Sequence, residues 1–261
     1  MQDLFFELFE SLPRQGPGLA ACTARALALC RGLPAAPSVL DLGCGAGAQT
    51  LHLAALLPAA HIVAVDLHPP HIQRLRAERH RQGLGGRLEP QVADMRRLRD
   101  ERSALGLPDG GVDLIWSEGA LYNLGLAPAL QLCRDLLRPG GCLAFTDAVW
   151  RRDDPPPELR AAFESDYPGM GRVEDDLALL RAGGFELLGH FSLPDAAWWE
   201  DFYTPMQARI AELRHRHAGD AQAQALLDSL ALEPEMHRRH GDGYAYEFFV
   251  ARLPEPHAPL A

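Results

Sequence analysis

No stretch of the 261-residue chain approaches the roughly 20 consecutive apolar residues of a membrane-spanning helix, so no membrane partner is expected. The opening segment has acids where a secretory signal needs a basic n-region, and a cytoplasmic location is the expectation. Cysteine is scarce and scattered. Cys22, Cys30, Cys44, Cys133 and Cys142 are odd in number and form no C-x-x-C pair, which indicates neither a zinc site nor a disulfide framework. No metal is expected, and reduced thiols fit a cytosolic enzyme. Positive charge is also short: 25 Lys and Arg face 35 acids, a formal net charge of −10. A surface that tracks phosphates needs clustered bases, so nucleic acid is excluded as a natural partner. The one dense basic stretch, Arg74 to Arg81, alternates with apolar positions at helical spacing and reads as the solvated face of a helix. No internal repeat is present.

A chain of this length buries roughly 70–75% of its extended surface, so a full core needs no covalent staples. Its middle alternates short apolar runs with amphipathic stretches, which reads as repeated strand–helix units. Strands are predicted at Val39–Leu42, Ile62–Val65, Leu88–Val92, Val112–Trp116 and Cys142–Thr146, with helices at Ala48–Leu57, Pro70–Gln82 and Pro128–Leu137. Such alternation predicts an α/β fold, a parallel sheet with helices on both faces. After Trp150 the character changes. A proline-rich loop, Asp153 to Pro157, precedes a helix at Val173–Ala182 and two more strands, Phe185–Leu193 and Tyr244–Leu253. The residues between those strands are too many for a hairpin loop and too periodic for disorder, so they form a helical insertion. One domain over residues 1–261 is expected: a helical cover at 1–36, a cofactor-binding core at 37–150, completion of the sheet at 151–193 and 243–253, and the insertion at 194–242. The tail from Pro254 is expected to fray.

The strongest local signal is Val39-Leu40-Asp41-Leu42-Gly43-Cys44-Gly45-Ala46-Gly47-Ala48, a buried strand running into a glycine-rich turn that opens a helix. Gly43-x-Gly45-x-x-Ala48 also satisfies the dinucleotide pattern, which keeps an NAD-dependent oxidoreductase in view. Charge separates the two readings. A pyrophosphate would meet Asp41 unfavourably, whereas the ammonium and sulfonium of S-adenosylmethionine suit a neighbouring carboxylate. Asp66 ends the second strand, followed by Leu67, and is placed to accept from the ribose hydroxyls of either cofactor. Asp94 follows the third strand, placed to accept from an adenine amino group, with Met95 packing on the ring. A single Asp at a strand end is more often a cap or turn former. Three of them, each at the carboxyl edge of a successive strand, make coincidence a poor explanation.

Asp41 to Gly47, Asp66, Ala93-Asp94-Met95, Asp113-Leu-Ile-Trp-Ser-Glu-Gly119 and Leu137-Arg-Pro-Gly-Gly141 resemble the ordered motifs of class I S-adenosylmethionine-dependent methyltransferases. The Phe-Phe-Glu segment near the N-terminus, with Ser117-Glu-Gly-Ala-Leu-Tyr-Asn123, also resembles a group of bacterial small-molecule methyltransferases. The resemblance implies a Rossmann-like, seven-stranded, mostly parallel sheet whose last strand is antiparallel. It implies that S-adenosylmethionine is the cofactor and a small molecule the acceptor. It further assigns Gly43 and Gly45, within the turn that Gly47 closes, to the methionyl part, Asp66 to the ribose, Asp94 and Met95 to the adenine, and Ser117 and Glu118 to the neighbourhood of the sulfonium. A non-catalytic cofactor-binding scaffold and the NAD-dependent oxidoreductase are the alternatives.

Methyl transfer chiefly requires alignment, and a general base helps only when the nucleophile arrives protonated. Candidates after the fourth and fifth strands are Glu118, Tyr122, Asn123, Asp147 and Trp150, with Glu118 and Tyr122 chosen as catalytic. Glu118 reads equally as base or cation anchor and as cap or salt bridge; Tyr122 reads equally as donor and as packed wall. Trp198, Trp199, Phe202 and Tyr203 open the insertion and read as core or as a wall for a flat or cationic substrate, with Trp199 and Tyr203 chosen as substrate contacts. Arg14 reads either as a group reaching the site or as a solvent-facing loop residue. His190, His215, His217, His237 and His240 read as surface or capping residues. The aromatic density at Phe5, Phe6 and Phe9 and at Trp198 to Tyr203 predicts that both segments roof the acceptor site. A homodimer is a further possibility.

Overall fold

The computed structural model describes residues 2–164 and 166–255, so most of the tail expected to fray lies outside the described residues. Two helices, α1 (Gln2–Glu10) and α2 (Ala20–Leu29), precede β1 (Ser38–Leu42), α3 (Ala48–Leu56), β2 (His61–Asp66), α4 (Pro69–Arg81) and β3 (Leu88–Val92). A short α5 (Leu98–Glu101) leads to β4 (Val112–Glu118), α6 (Leu126–Leu136) and β5 (Leu137–Trp150). Then come α7 (Pro157–Glu164), α8 (Val173–Ala182) and β6 (Glu186–Ser192). The insertion holds α9 (Ala196–Trp198), a π-helical turn at Trp199–Tyr203, α10 (Thr204–Arg216) and α11 (Ala221–His240), before β7 (Tyr244–Arg252).

Helices cover both faces of the sheet, which is why β1 and β2 read as nearly continuous apolar runs rather than alternating ones. Leu40, Leu42, Ile115 and Phe145 lie in the core shared with α6 and α8, and Val39, Ile62 and Trp116 lie in the core shared with α2 and α3. The strand order is β3-β2-β1-β4-β5-β7-β6. Strands β1 to β5 run parallel, and β7 is antiparallel to both β5 and β6. The seven-stranded sheet with an antiparallel last strand is therefore present as expected. The dinucleotide-binding arrangement has the order 3-2-1-4-5-6, with no antiparallel strand set between the fifth and sixth. The order reverses between β1 and β4, so the crevice opens where Leu42 and Glu118 end their strands.

Two expectations need correction. β5 does not stop at Thr146, because β7 pairs with it from Cys142↔Arg252 through Trp150↔Tyr244 and carries it past the sheet edge. His237 is no surface residue: it is 5% exposed, pairs with Tyr244 Oη at 2.8 Å and Asp195 Oδ1 at 3.0 Å, and stacks on Trp198. Burial lowers its proton affinity, with Asp195 acting in the opposite sense. His190 is likewise engaged, at 2.5 Å from Glu247. All five cysteines are free and buried, and among the described residues no helix is long and apolar enough to cross a membrane.

Candidate active site

The turn after β1 is held in a conformation that L side chains rarely adopt, with φ of +66° at Gly43, +54° at Gly45 and +89° at Gly47. It is also crowded. A Cβ on Gly43 would lie 2.3 Å from Ala120 Cβ, and one on Gly45 would lie 2.6 Å from Gln15 Oε1. The turn is thus pressed between the exit of β4 and the segment that follows α1. Ala46 N donates to Gln15 Oε1 at 2.9 Å, and Gly45 N donates to Asp66 Oδ2 at 2.9 Å.

Asp66 joins the turn to β2. Its Oδ1 accepts from His68 N at 2.8 Å, and the His71 ring lies 3.6 Å away. Burial acts to raise the Asp66 carboxyl, but His71 and the N–H groups of His68 and Gly45 outweigh it and hold the group below its ordinary range. A carboxylate offers about four lone-pair positions, so two backbone donors leave room for further hydroxyls. Leu67 is 63% exposed and Val92 45% exposed, an open apolar edge beside Asp66. Met95 is half-buried, its Cε 3.8 Å from where a Gly43 Cβ would stand. Asp94 caps the short turn after β3, accepting from Arg96 N at 3.0 Å. Asp41 lies beneath the turn, where it accepts from Thr50 Oγ1 at 2.5 Å. Burial pushes its carboxyl up to about 7 against the Thr50 bond, and the nearby charge of Glu118 adds to the rise.

Arg14 and Glu118 close the crevice from above. Arg14 Nη1 donates to Glu118 Oε2 at 2.8 Å, and the side chains are 4% and 3% exposed. Glu118 Oε1 accepts from Thr23 Oγ1 and from Trp116 Nε1, each at 2.9 Å. A Cβ on Gly18 would stand 2.2 Å from Arg14 Nη1, so glycine there makes room for the pair. The solvent-facing reading of Arg14 is therefore replaced by a buried ion pair. Its Nε and Nη2 are buried without a hydrogen-bond partner. Such orphaned donors on a buried cation call for an acceptor, best an anionic one.

Residues 39–141 match the family model described as a methyltransferase domain. That segment is similar to methyltransferase domains. A malonyl-[acyl-carrier protein] O-methyltransferase of Dechloromonas aromatica is 37% identical over 119 residues, 45% of this chain and 39% of that protein. A dimethylglycine N-methyltransferase of Parasynechococcus marenigrum is 31% identical over 120 residues, again 45% and 39%. The chain spans about two fifths of the length of these curated relatives. A SAM-dependent methyltransferase of Thiobacillus denitrificans, solved with S-adenosyl-L-homocysteine, has the same fold with a TM-score of 0.79 at 19% identity. That likeness covers 95% of this chain and 97% of that one.

On the far side of the crevice, the expected residues divide. Ser117 is buried and donates to Leu42 O at 2.9 Å, tying β4 to β1. Asn123 donates to Ala120 O at 3.0 Å. Asp147 accepts from Tyr167 Oη at 2.8 Å and from Ala148 N, and Glu247 is its register partner on β7. Trp150 packs on Phe163, and Tyr203 is 1% exposed with its hydroxyl donating to Glu233 at 3.0 Å. Trp199 is half-buried, donating to Asp195 Oδ1 at 3.3 Å. Tyr122 is half-buried, its ring 5.5 Å from that of Tyr167.

Two residues at the site were not anticipated: Gln15 and Tyr246. A Cβ on Gly119 would lie 3.4 Å from Tyr246 Cε1 and 3.9 Å from its Oη, which places that phenol at the mouth of β4. Its only signal in the sequence is the alternation Tyr244-Ala245-Tyr246, which strand periodicity already explains.

The segment after α1 is also fastened to the insertion. Arg14 N donates to Asp201 O at 3.3 Å, and Gly18 N donates to Ala197 O at 2.9 Å. α1 itself bridges both walls, with Glu10 against His68 at 2.6 Å and Glu7 against Arg209 at 2.8 Å.

Proposed function

We propose that the protein is an S-adenosylmethionine-dependent methyltransferase that modifies a small-molecule acceptor, with the donor lying across the turn from Asp66 to Arg14. The observation that carries this reading is the buried Arg14 guanidinium, which keeps two unpartnered N–H groups beside a left-handed glycine turn. The methionyl end of the donor is a carboxylate that such a cation can hold. Other features support the same placement. Asp66 has lone pairs left for ribose hydroxyls, and Leu67, Val92 and Met95 offer an apolar edge for the adenine. When bound, S-adenosylmethionine supplies an electrophilic methyl on a sulfonium, so the reaction needs alignment more than activation.

In this proposal Glu118 is a positioning residue rather than the base. Both its oxygens already accept, and its role is to hold Arg14 in place beside the crevice. Gln15 and Arg14 anchor the N-terminal cover on the turn, which keeps water from the transferring carbon. Tyr122 and Tyr246 border the space an acceptor would take. Calorimetric titration with S-adenosylmethionine, its homocysteine product and NAD tests the reading. Binding of the first two and not of NAD is the expected result, and NAD alone binding overturns it. If the donor binds but no labelled methyl reaches any acceptor from metabolite pools, the chain is a cofactor-binding scaffold.

A further inference from the structure

The basic stretch that opens at Arg74 takes no part in the crevice. Residues 74–102 carry nine arginines against five acids, a local excess of positive charge in a chain whose net charge is −10. Arg79, Arg81, Arg96, Arg97 and Arg99 each meet a carboxylate. Arg76 does not: among the described residues it has no ion pair. With Arg79 and His80 it lines a hollow of about 920 Å³, set between the end of α4, the glycine-rich turn after it and the outer side of β3.

β3 is an edge of the sheet, and the wall of the hollow follows from that. Ile62 N takes Arg87 O at 2.7 Å, so strand alternation turns Leu88 O and Pro90 O away from β2. Arg79 Nη1 donates to Leu88 O at 3.2 Å, and Arg76 Nε donates to Pro90 O at 3.1 Å. Leu88 N already donates to Leu84 O, and Pro90 has no N–H, so this edge is closed to an added peptide strand. The two carbonyls hold both guanidiniums in place but carry no net charge to cancel them. Arg79 also reaches Glu89 Oε2 at 3.1 Å, whereas Arg76 keeps both of its Nη groups free.

Part of the lining is bare backbone. A Cβ on Gly85 or Gly86 would meet nothing within 4 Å, and neither amide donates to an acceptor among the described residues. Free amides beside fixed guanidiniums are a donor set that suits phosphate oxygens. Glu89 is the one opposing charge on the lining.

We propose that this hollow binds the phosphate group of a small molecule, with Arg76 as its main cation, Arg79 and His80 beside it, and the amides of Gly85 and Gly86 as further donors. Two guanidiniums set against one carboxylate suit a single phosphate group; a nucleic-acid strand needs a run of unopposed cations. The site is separate from the crevice, since β2 and β1 lie between β3 and the point where the strand order reverses. It therefore stands apart from the methyl-transfer reading. No bond forms or breaks there, and recognition rests on charge and hydrogen bonding alone.

The test titrates the protein, in phosphate-free buffer at fixed ionic strength, with inorganic pyrophosphate and with glycerol 3-phosphate by calorimetry. Both should saturate at one site per chain, and acetate should not. Arg76→Gln retains an N–H for Pro90 O and should weaken binding about tenfold or more, the scale of one hydrogen bond to a charged group. Glu89→Gln removes the opposing carboxylate and should tighten binding about threefold or more. Both side chains reach solvent, so unliganded melting should match wild type. If Arg76→Gln is destabilised, the Glu89→Gln titration alone decides. Absence of saturable binding, or affinities that neither substitution moves, overturns the proposal. So does a single-stranded oligonucleotide that binds through Arg76 far more tightly than pyrophosphate, because the hollow is then part of a nucleic-acid surface.

Discussion

Arg14 and Glu118 are 104 positions apart and meet at 2.8 Å in a pocket that leaves both side chains almost wholly buried. The contact joins the N-terminal cover to the end of β4, so the crevice and its roof are parts of one structure. A buried pair of this kind costs most when only one partner is removed, because the other charge is stranded.

Arg14→Ala should therefore lower stability by about 3–5 kcal/mol in urea unfolding. Arg14→Met with Glu118→Gln removes both charges and leaves an amide oxygen for Thr23 and Trp116. That double variant should regain most of the lost stability while still failing to bind the methyl donor tightly. Recovery of donor affinity along with stability would show that Arg14 has no part in holding the donor carboxylate.

Asp66→Ala should weaken S-adenosylmethionine binding by about 1.5–3 kcal/mol, the scale for losing a charged hydrogen-bond partner. Asp66→Asn keeps one acceptor oxygen and should fall between. Calorimetry on the folded variants measures both, and an unchanged dissociation constant for Asp66→Ala removes the ribose assignment.

Stability should decline with pH across the neutral range. Burial pushes the carboxyls of Asp147 to about 6, Asp41 to about 7 and Asp176 to about 8, the last raised also by Asp147, Asp175 and Glu247. Each binds its proton more tightly folded than unfolded, where about 4 is the ordinary value. Their contribution is complete below that value and is lost as pH rises through 6 to 8. Asp66 has the opposite sign: its contribution is present above the unfolded pKa and is lost as pH falls below about 4. Asp176 Oδ2 is buried without a partner. Asp176→Asn should flatten the decline and stabilise the protein at pH 8 by on the order of 1–3 kcal/mol. Urea midpoints that are level from pH 5 to 8.5 would contradict this.

Hydrogen exchange tests the cover. The amides of Arg14 and Gly18 donate to Asp201 and Ala197, and that of Ala46 donates to Gln15. The homocysteine product should slow exchange across residues 12–18 and 195–203. If protection rises only in the turn at 43–47, the two segments are fixed packing rather than a roof that tightens on the donor.

Much of the core was legible because its causes are local. Gly43, Gly45 and Gly47 announce a turn that requires left-handed backbone, and helices on both faces make β1 and β2 nearly pure apolar runs. The end of α8 at Ala182 follows from the paired glycines after it. The place of Asp66 was legible for the same reason, since the strand pattern puts it at the carboxyl edge of β2 before any contact is known. Asp94 shows the limit of that method. Its place after β3 was legible, but a carboxylate at a strand end that caps its own turn reads the same as one awaiting a ligand.

The acceptor side could not be read this way, because its members arrive from distant segments. Arg14 was ambiguous until α1 was seen to bridge α4 and α10. His237 looked like one more polar residue of an amphipathic helix, and only the return of β7 set it between Trp198, Tyr244 and Asp195. Tyr246 sits at Gly119 because β7 runs antiparallel beside β5, a neighbour relation that no periodicity encodes. The sequence by itself determined which residues turn, which strands are buried and where the carboxyl edge lies, since backbone sterics and burial pattern act over a few residues. Tertiary structure alone decided which charges pair and which rings face the crevice, since those depend on segments brought together by the order of the sheet.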